Sequence, residues 1–473
     1  MESHTSRILL ANLMLGSFLT GTASRIFAIS LPTVAENLQT DIAGISWALI
    51  SFQLSTISLS LVFGRMGDLY GRQTVFGMGL LVFTASSFLC GLSQDILQLI
   101  LFRLLQGVGA AMIQAQGRAL AMEAVPQDSV GKAQGFLTTA HHSGFLLGPS
   151  LGGLIIDYVH WRGIFFSLVP IGTAGAFLSW VNRKGSPVPV APAKTATRSS
   201  VDYLGAALLV ATALALIAII DRRVMEVVPA GWRTVLILTF VGFLIVFFIR
   251  EATASSPILI LPLFRIRMFA FSTACLLLVS INFALTAFLL PFYLQEILHL
   301  SPSFMGILFM SAPIFTIALS PVGGYIFDKV GSRLPATTGT VVFGVASFLG
   351  VILRTDSHWF LPTLMIALGG LASALFYPSN HSAMIGSVPA EHRGVATGTI
   401  YMMFGLGNTF GITLGSFLMT AAFRFHTGLS TATPTTENPA AFVASLNTTF
   451  LLVVGIAVLG MVLSLMRGKE GKG

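Results

Sequence analysis

Three arginine residues lie inside stretches of the sequence that are otherwise apolar and long enough to cross a lipid bilayer. They are Arg25, Arg103 and Arg118. A guanidinium at membrane depth costs several kcal/mol by most scales, so it usually faces a partner group or a water-filled cavity. Arginine also binds carboxylates and phosphates through two parallel hydrogen bonds. Arg25 and Arg118 are therefore predicted to line a binding cavity for an anionic or zwitterionic small molecule.

Three histidine residues lie in the same kind of apolar stretch. His141 and His142 are adjacent in the sequence. His381 lies 263 residues after Arg118, which is the offset of a weak internal repeat in the chain, so the two residues occupy equivalent positions. Imidazole titrates near neutral pH, so His141 and His142 are candidates for proton movement, and His381 is assigned to the cavity. The alternative for each is a hydrogen bond between helices, and it also applies to three neutral residues assigned to the cavity. These are Gln114, Asn282 and Asn380.

Polar residues inside these stretches are informative because charge is scarce in the whole chain. The 473 residues are 54% hydrophobic and 9% charged, with a mean hydropathy of +0.85. This composition excludes a soluble enzyme and predicts an all-α integral membrane protein, because each apolar stretch is about 20 residues long and spans about 30 Å of hydrocarbon as a helix. The fourteen predicted spans are 8–32, 44–63, 74–92, 97–123, 133–157, 163–181, 203–221, 231–249, 269–293, 303–327, 335–353, 359–386, 394–423 and 443–466. A re-entrant pair is left open for 203–221 and 231–249.

The distribution of Lys and Arg over the loops predicts the orientation of the chain. With a cytoplasmic N-terminus, seventeen of these residues fall on the inner side and six on the outer side. Because positive residues accumulate on the cytoplasmic side, both termini are predicted to be cytoplasmic. The formal net charge of +8 then reflects the topology of the chain in the membrane. Nucleic-acid binding is not expected, because the sequence has no basic run interleaved with aromatic residues.

A weak internal repeat divides the sequence into two related halves. Three landmarks recur in the same order, at offsets of 260 or 263 residues. The repeat predicts two pseudo-symmetric six-helix bundles with two helices inserted between them. The predicted domains are an N-terminal bundle (1–181), a cytoplasmic linker (182–202), two inserted transmembrane helices (203–249), a cytoplasmic interfacial segment (250–268) and a C-terminal bundle (269–473).

The first repeated landmark follows the second span. It contains Gly64, Asp68, Gly71 and Arg72, and the second copy contains Asp328 and Arg333. This spacing resembles the signature loop of the major facilitator superfamily, although the basic residues usual beside Asp68 and after Arg72 are replaced by Leu69 and Gln73. Glycine permits a tight turn, and arginine can clamp a carboxylate, for which Glu123 is the predicted partner of Arg72. The resemblance implies a conformational latch at the inner ends of the helices, and the alternative is a solvated polar turn.

The second landmark lies in the fifth span and is a row of glycines. Its residues are Gly144, Gly148, Pro149, Gly152 and Gly153, and the second copy has Gly407, Gly411 and Gly415. The row is similar to the antiporter motif of the drug-efflux branches of that superfamily. Glycines four residues apart lie on one helix face and allow another helix to approach closely. We expect this row to provide a sliding contact.

Two further motifs narrow the resemblance to one branch. The run from Trp161 and Arg162 to Pro170-Ile171-Gly172 is similar to the start of the sixth helix in fourteen-helix drug:proton antiporters. Arg103, followed by Gln106 and Gly107, matches a family motif whose arginine is implicated in proton coupling. The alternative for Arg103 is that its side chain reaches up to the outer membrane interface.

The first span departs from this branch. Members typically carry an aspartate in the middle of helix 1, and the alignment places Ala23 there, with Arg25 two residues later. None of the 18 acidic residues falls at mid-membrane depth. A polyspecific cation exporter would need a buried carboxylate, so this chain's own electrostatics favour an anionic substrate.

The sequence therefore predicts a major facilitator fold with fourteen transmembrane helices. The predicted function is proton-coupled efflux of a small amphipathic organic molecule by a monomer in a bacterial inner membrane. The alternatives are transport of an anionic metabolite or lipid, and a sensor or scaffold that no longer transports. Because no catalytic set, metal spacing or nucleotide-binding motif is present, we expect no enzymatic activity, metal or cofactor.

We predict that Asp68→Asn slows transport and leaves the protein folded and inserted, because Asp68 acts at the inner latch and not in the binding cavity. Substrate affinity of the detergent-solubilised variant should change by less than about threefold, which is well under 1 kcal/mol. A large loss of affinity with a normal transport rate would show that Asp68 belongs to the binding site instead.

Overall fold

The structure is a computed structural model, and it describes residues 2–124, 130–185, 203–220, 229–254, 260–389, 392–429, 432–435 and 437–468. Within these ranges the regular structure is entirely helical. This outcome follows from the solvent, since a helix satisfies all of its backbone hydrogen bonds internally when it crosses hydrocarbon. The all-α fold class predicted from the sequence is confirmed.

The first half of the chain forms seven α-helices and part of an inserted pair. Their bounds are α1 (Glu2–Ile26), α2 (Leu31–Asn37), α3 (Ile42–Tyr70), α4 (Arg72–Leu92), α5 (Ile96–Ala124), α6 (Val130–Tyr158), α7 (Arg162–Gly185) and α8 (Tyr203–Ile220). The remainder of the chain continues with α9 (Ala230–Thr253), α10 (Arg267–Phe292), α11 (Pro302–Phe309), α12 (Ser311–Val330), α13 (Arg333–Val351), α14 (Phe360–Gly386), α15 (Arg393–Thr427) and α16 (Pro439–Leu465). Single 3₁₀ turns occupy Ala28–Ser30 and Leu261–Arg265, and a π-helical turn, Tyr293–Ile297, follows α10.

Each of the fourteen predicted spans coincides with helix. Twelve of the helical segments in the described residues are long and apolar enough to cross a membrane. The two spans outside that set are also helices, α6 and α8. The inserted segments α8 and α9 are each one continuous helix of 18 and 24 residues, which does not favour the re-entrant pair that the sequence left open.

Proline explains two interruptions that the sequence analysis did not predict. The predicted span 303–327 is broken at Met310, between α11 and α12. Pro313 stands four residues after Phe309, and a proline ring clashes with the carbonyl group of the residue four positions earlier. Pro32 acts in the same way on Ala28, where α1 gives way to a 3₁₀ turn before α2.

The turn after the second span is tighter than the predicted loop over residues 64–73. Helix α3 continues through Gly64 and Asp68 to Tyr70, and α4 begins at Arg72, so Gly71 alone reverses the chain. Gly71 has a φ of 90°, and its repeat counterpart Gly331 has a φ of 79°. Glycine is needed at both positions because other L-residues rarely adopt positive φ.

The chain divides by contact into two compact units. The first comprises Met1–Thr40, Trp47–Val210 and Ala254–Ser256, and the second comprises Asp41–Ser46, Ala211–Thr253 and Pro257–Gly473. Within the first, α1 packs on α6 and α7, and α4 packs on α5 and α7. Within the second, α10 packs on α15 and α16, and α13 packs on α14 and α16. The same helix pairs therefore form in both units, as the sequence repeat predicts. The predicted domain boundaries remain predictions, and residues 186–202 of the linker lie outside the described residues.

The glycine row of α6 (Gly144, Gly148 and Gly152) packs on α1 of the same unit. A Cβ atom on Gly148 would lie 3.2 Å from both the Thr22 carbonyl oxygen and the Ile26 nitrogen, and one on Gly152 would lie 2.8 Å from the Ile26 carbonyl oxygen. Successive glycines meet successive turns of α1, so the two helices run parallel with their backbones in close contact. Gly21 of α1 approaches the backbone of His141 in the same seam.

The second glycine row, in α15, packs on α10 in the same manner. A Cβ atom on Gly411 would lie 2.8 Å from Ala284 Cβ, and one on Gly415 would lie 3.1 Å from Leu285 Cγ. Both rows therefore hold two parallel helices of one unit together. The expected sliding contact remains a prediction, because the described contacts of these glycines are intra-unit packing.

We predict that Gly148→Leu lowers the thermal stability of the purified protein and its transport rate. The added side chain would enter the backbone of α1, and overpacking of this kind typically costs about 1–3 kcal/mol. The matched control is Gly455→Leu in α16, where an added Cβ atom meets nothing within 4 Å. Equal thermal stability of the two variants would show that α1 and α6 can separate freely.

Candidate functional site

Arg103 is enclosed by three helices of the first unit. Its side chain is only 1% exposed, and its Nε donates to the Ala48 carbonyl oxygen of α3 at 3.0 Å. Its Nη1 donates to Gln106 Oε1 at 2.7 Å, and Gln106 Nε2 donates to Ser87 Oγ of α4 at 2.7 Å. The chain of hydrogen bonds links α3, α4 and α5. This geometry rules out the alternative in which Arg103 extends to the membrane interface.

Aromatic rings connect Arg103 to the Trp161-Arg162 motif. The guanidinium carbon lies 4.3 Å from the Phe52 ring centroid and 4.9 Å from that of Phe27. The Phe27 ring is 5.5 Å from Phe165, which in turn is 6.4 Å from Trp161. We refer to these five residues as the arginine–aromatic cluster. Two motifs that are 58 residues apart in the sequence (103 and 161) thus build one buried structure.

Arg162 anchors the same region from the other side of Trp161. Its guanidinium carbon lies 4.5 Å from the Trp161 ring centroid, and its Nη2 donates to the Ser93 carbonyl oxygen at 2.9 Å. Trp161 itself is fully buried. A cation over an indole face contributes about 0.5–2 kcal/mol, depending on how far the pair is desolvated. The motif therefore acts here as a clamp between α4 and α7.

Arg25 has a different environment, because its side chain is half-buried. Its guanidinium carbon lies 4.3 Å over the Phe145 ring, one turn of α6 before Pro149. The backbone of the next residue, Ile26, is the part of α1 against which Gly148 and Gly152 pack. The position of Arg25 is therefore fixed by the glycine seam.

Two of the amide residues assigned to the cavity form hydrogen bonds between helices of the second unit. Asn282 of α10 donates to Ser347 Oγ of α13 at 3.0 Å, and Asn380 of α14 donates to the Ser272 carbonyl oxygen of α10 at 3.1 Å. Asn282 is 3% exposed and Asn380 is fully buried. This arrangement favours the alternative left open for both, in which they connect helices. Gln114, by contrast, is exposed on α5.

The two units differ at the positions that are equivalent to the arginine network. Ser87 and Ser347 correspond at an offset of 260, and both accept or donate in an interhelical bond. The positions equivalent to Arg103 and Gln106, at an offset of 263, are Ile366 and Gly369. At these equivalent positions the second unit has no guanidinium, and its serine bonds to Asn282 instead.

The two described membrane histidines have unlike surroundings. His141 Nδ1 lies 3.2 Å from the Ser17 carbonyl oxygen, and because a carbonyl only accepts, the ring nitrogen donates. His381 packs its ring 5.7 Å from Tyr377, and its Nε2 atom is buried without a hydrogen-bond partner among the described residues. An unsatisfied buried polar atom costs about 1–3 kcal/mol, so this position needs a functional or structural reason.

Several predicted site residues are described only by their backbone. The side chains of Asp68, Arg118, Glu123, His142 and Asp328 lie outside the described residues, so their assigned roles stay predictions. Of the other latch residues, Arg72 is half-buried and Arg333 is exposed. A Cβ atom on Gly64 would meet nothing within 4 Å, so space does not require glycine there.

One buried cation was missed by the sequence analysis. Arg467 was counted as an inner-loop residue, yet its side chain is 1% exposed and lies 5.8 Å from the Phe376 ring. Helix α16 ends at Leu465, and the following turn brings Arg467 back against the second unit. A terminal arginine after an apolar helix gives no periodic signal, so the sequence could not distinguish it from a solvated charge.

A profile of the Major Facilitator Superfamily matches residues 13–281 and 273–472 of the chain. The chain belongs to the Major Facilitator Superfamily. The repeated helix pairs and the two glycine seams agree with this assignment. It is an integral membrane transporter and not an enzyme.

Curated relatives span almost the whole chain. The riboflavin transporter RibZ of Clostridioides difficile is 26% identical over 459 residues, covering 97% of this chain and 96% of the relative. The multidrug export protein EmrB of Haemophilus influenzae is 26% identical over 410 residues, covering 86% of this chain and 79% of the relative. These names belong to transporters of small organic molecules.

Solved structures agree with the fold. A bacterial homologue of the human lysosomal transporter Spinster, in an inward-facing and unoccupied conformation, has a TM-score of 0.69 at 14% identity, covering 98% of this chain and 96% of that chain. The peptide transporter POT in complex with sulfate has a TM-score of 0.70 at 16% identity, with the same coverages. At such identities the likeness establishes the superfamily fold alone.

We predict that Arg103→Lys lowers the thermal midpoint of the purified protein substantially. Lysine keeps the charge but loses the planar fork that reaches Ala48 and Gln106, and each lost charged hydrogen bond is worth about 1.5–3 kcal/mol. The control is Arg354→Lys in an exposed loop, which should leave the midpoint unchanged. A stable Arg103→Lys protein would mean that charge alone, and not the network, holds the three helices.

Proposed function

We propose that this transporter is a proton-coupled exporter of small amphipathic organic molecules. In this proposal it works as a monomer in a bacterial inner membrane, with both termini in the cytoplasm. The binding site opens to each side of the membrane in turn, and the inner latch holds the inward face closed. The latch comprises Gly64, Asp68, Gly71, Arg72, Glu123, Asp328 and Arg333.

The observation that carries this proposal is the glycine seam between α1 and α6. Gly144, Gly148 and Gly152 match the antiporter motif, and their Cα atoms meet the backbone of α1 so closely that side chains are excluded. A large side chain anywhere in the row would separate the two helices. Relatives that are named as multidrug export proteins, such as EmrB, support export as the direction of transport.

A second candidate function is transport of an anionic metabolite or anionic lipid. It is favoured by Arg25, whose guanidinium is half-buried at membrane depth over the face of Phe145. Arginine binds oxyanions through two parallel, charge-assisted hydrogen bonds, which suits it to a carboxylate ligand. No carboxylate occupies the helix-1 position at which drug:proton antiporters carry an aspartate, which is Ala23 here.

The experiment that tests the function is exchange of a labelled probe across proteoliposomes that contain the purified protein. Three probes cover the candidates: ethidium as an amphipathic cation, anilinonaphthalene sulfonate as an amphipathic anion, and riboflavin, after the relative that transports it. Exchange of ethidium or riboflavin supports the first proposal, and exchange of the sulfonate alone supports the second. Binding without any exchange would support the third candidate, a sensor or scaffold that no longer transports.

We predict that Arg25→Ala weakens binding of an anionic ligand and leaves a neutral one unchanged. Anilinonaphthalene sulfonate and the uncharged phenylnaphthylamine share the same aromatic frame, so they form a matched pair. The anion should lose about 1.5–3 kcal/mol, or roughly ten- to a hundredfold in affinity, because a charged hydrogen bond is removed. Arg25→Lys should recover part of the loss, since it keeps the charge without the fork.

The competing account gives Arg25 a structural role in the α1–α6 seam. Under it, Arg25→Ala would lower thermal stability and weaken both ligands equally. Fluorescence titration of the two probes on the solubilised variant distinguishes the accounts. Equal losses for anion and neutral compound would end the anionic proposal for this residue.

A further inference from the structure

His381 is a half-buried, titratable side chain, and one of its ring nitrogens takes part in no hydrogen bond with the described residues. It lies on α14 five residues before the helix ends at Gly386, so about 8 Å from that end. Its Nε2 atom is buried and has no hydrogen-bond partner among the described residues, although burying an unsatisfied polar atom is unfavourable. Leucine or methionine would fill the same space at no such cost.

The immediate surroundings of His381 are aromatic. Its ring is 5.7 Å from Tyr377, one turn earlier on α14, and Tyr377 is 6.0 Å from Phe404 on α15 in an edge-to-face arrangement. Tyr377 also contacts Phe376 at 5.5 Å. These rings pack beside the imidazole, and because its Nε2 atom is buried, protonation at that atom would require the surroundings to change.

Within the described side chains, no charged group on a neighbouring helix hydrogen-bonds to His381 Nε2. Helix α14 packs on α10, α12, α13 and α15, and the turn after α16 also approaches it through Phe376. The charged or titratable residues of these elements, within the described side chains, are Arg267, Cys275, Tyr325, Lys329, Arg333, Tyr401, Arg424, His426 and Arg467. Tyr377 is the titratable side chain whose contact with His381 the structure defines.

The other described candidates for proton transfer have defined hydrogen-bond partners. Arg103 bonds to Ala48 and Gln106, and its guanidinium stays protonated, while His141 Nδ1 donates to the Ser17 carbonyl oxygen across the glycine seam. Position 23, where a helix-1 carboxylate would stand, is alanine. His381 differs from His141 in that its Nε2 atom is buried without a hydrogen-bond partner among the described residues, and His141 remains the rival proton site.

We infer that His381 carries the coupling proton. The inference rests on the proposed proton-coupled export and assigns its proton site. When the site opens outward, an O–H bond of hydronium breaks, the unprotonated ring nitrogen takes the proton, and the imidazole becomes imidazolium beside a water molecule. When the site opens inward, the same N–H bond breaks and the proton passes to water on the cytoplasmic side, which forms hydronium and restores the neutral ring. One proton enters for each cycle.

The test separates exchange of the probe from accumulation of the probe against a proton gradient. Wild-type protein and His381→Gln are reconstituted, and exchange is measured without a gradient for ethidium, anilinonaphthalene sulfonate and riboflavin. For any probe that the wild type exchanges, the ratio of accumulation driven by a pH difference to exchange without a gradient should fall by about tenfold or more in His381→Gln, whatever the exchange rate of the variant is. Glutamine retains hydrogen bonding and similar length but cannot titrate, so the step that depends on the proton should be lost beyond any change in exchange.

Two variants define the comparison. His426→Gln changes an exposed histidine at the end of α15 that bonds to Thr448, and it should leave both measurements unchanged. His141→Gln tests the rival assignment. If His141→Gln loses gradient-driven accumulation while His381→Gln keeps it, the inference is overturned.

A measurement on the protein alone keeps the assignment testable if a variant is unstable or no probe moves. Nitrogen-15 labelling of histidine in nanodisc-embedded protein reports the protonation of each ring by NMR, with the His381 signal assigned from the His381→Asn variant. We expect this signal to titrate between about pH 4 and 8, around the ordinary range of histidine. A His381 ring that stays neutral over that range overturns the inference, whereas absence of exchange by wild-type protein overturns the proposed function instead.

Discussion

Close contact between the backbones of two parallel helices is the constraint on which both units depend. In a bilayer, helices gain little from hiding apolar side chains from one another, because the lipid is as apolar as they are. Association must come from van der Waals contact, and the glycines of α6 and α15 allow it by removing the side chains that would separate the backbones. Once α1 is fixed to α6, Arg25 of α1 lies over Phe145 of α6. Phe27, which directly follows α1, is placed by the same contact, and Arg103 of α5 packs over its ring.

A second constraint is that buried polar groups must find partners inside the protein. The first unit meets it with an arginine that bonds to α3 and, through Gln106, to Ser87, and that stacks between two phenylalanine rings. The second unit keeps the serine but replaces the arginine by isoleucine, and Asn282 supplies the bond. The scaffold is therefore repeated while its polar interior is not. Residues that differ between equivalent positions are the better guide to function, since the shared ones are explained by packing.

Much of the architecture could be predicted from the sequence because hydrocarbon imposes simple rules on it. The length of the apolar stretches predicted the helices. The repeat offsets predicted that the same helix pairs form in both units, because a glycine row marks close helix contact and an isolated glycine marks the turn between two helices. The breaks at Met310 and before Leu31 could have been predicted from Pro313 and Pro32, whose effect on the carbonyl four residues earlier is local. The position of Arg467 could not, because it depends on how one turn after α16 folds back, and a single charged residue near a terminus carries no pattern. The roles of Asn282 and Asn380 could not be predicted either. The orientation of each side chain decides whether it lines a cavity or bonds to a neighbouring helix, and no sequence pattern indicates that orientation.

The difference between the units also bears on how a transporter without a helix-1 carboxylate could couple to protons. A coupling group must change its charge at accessible pH, and its charged form must be costly enough in the closed protein to prevent leakage. Arginine fails the first condition, since its guanidinium stays protonated, which suits Arg103 to holding helices together. Imidazole meets it, because the ordinary titration range of histidine includes neutral pH. The rings of Tyr377 and its aromatic neighbours beside His381 bear on the second condition, because a charged ring packed against apolar groups loses part of its hydration. Arg103 and His381 lie on different helices, α5 and α14, so the structural role of the one and the proposed proton site of the other can be removed separately by mutation.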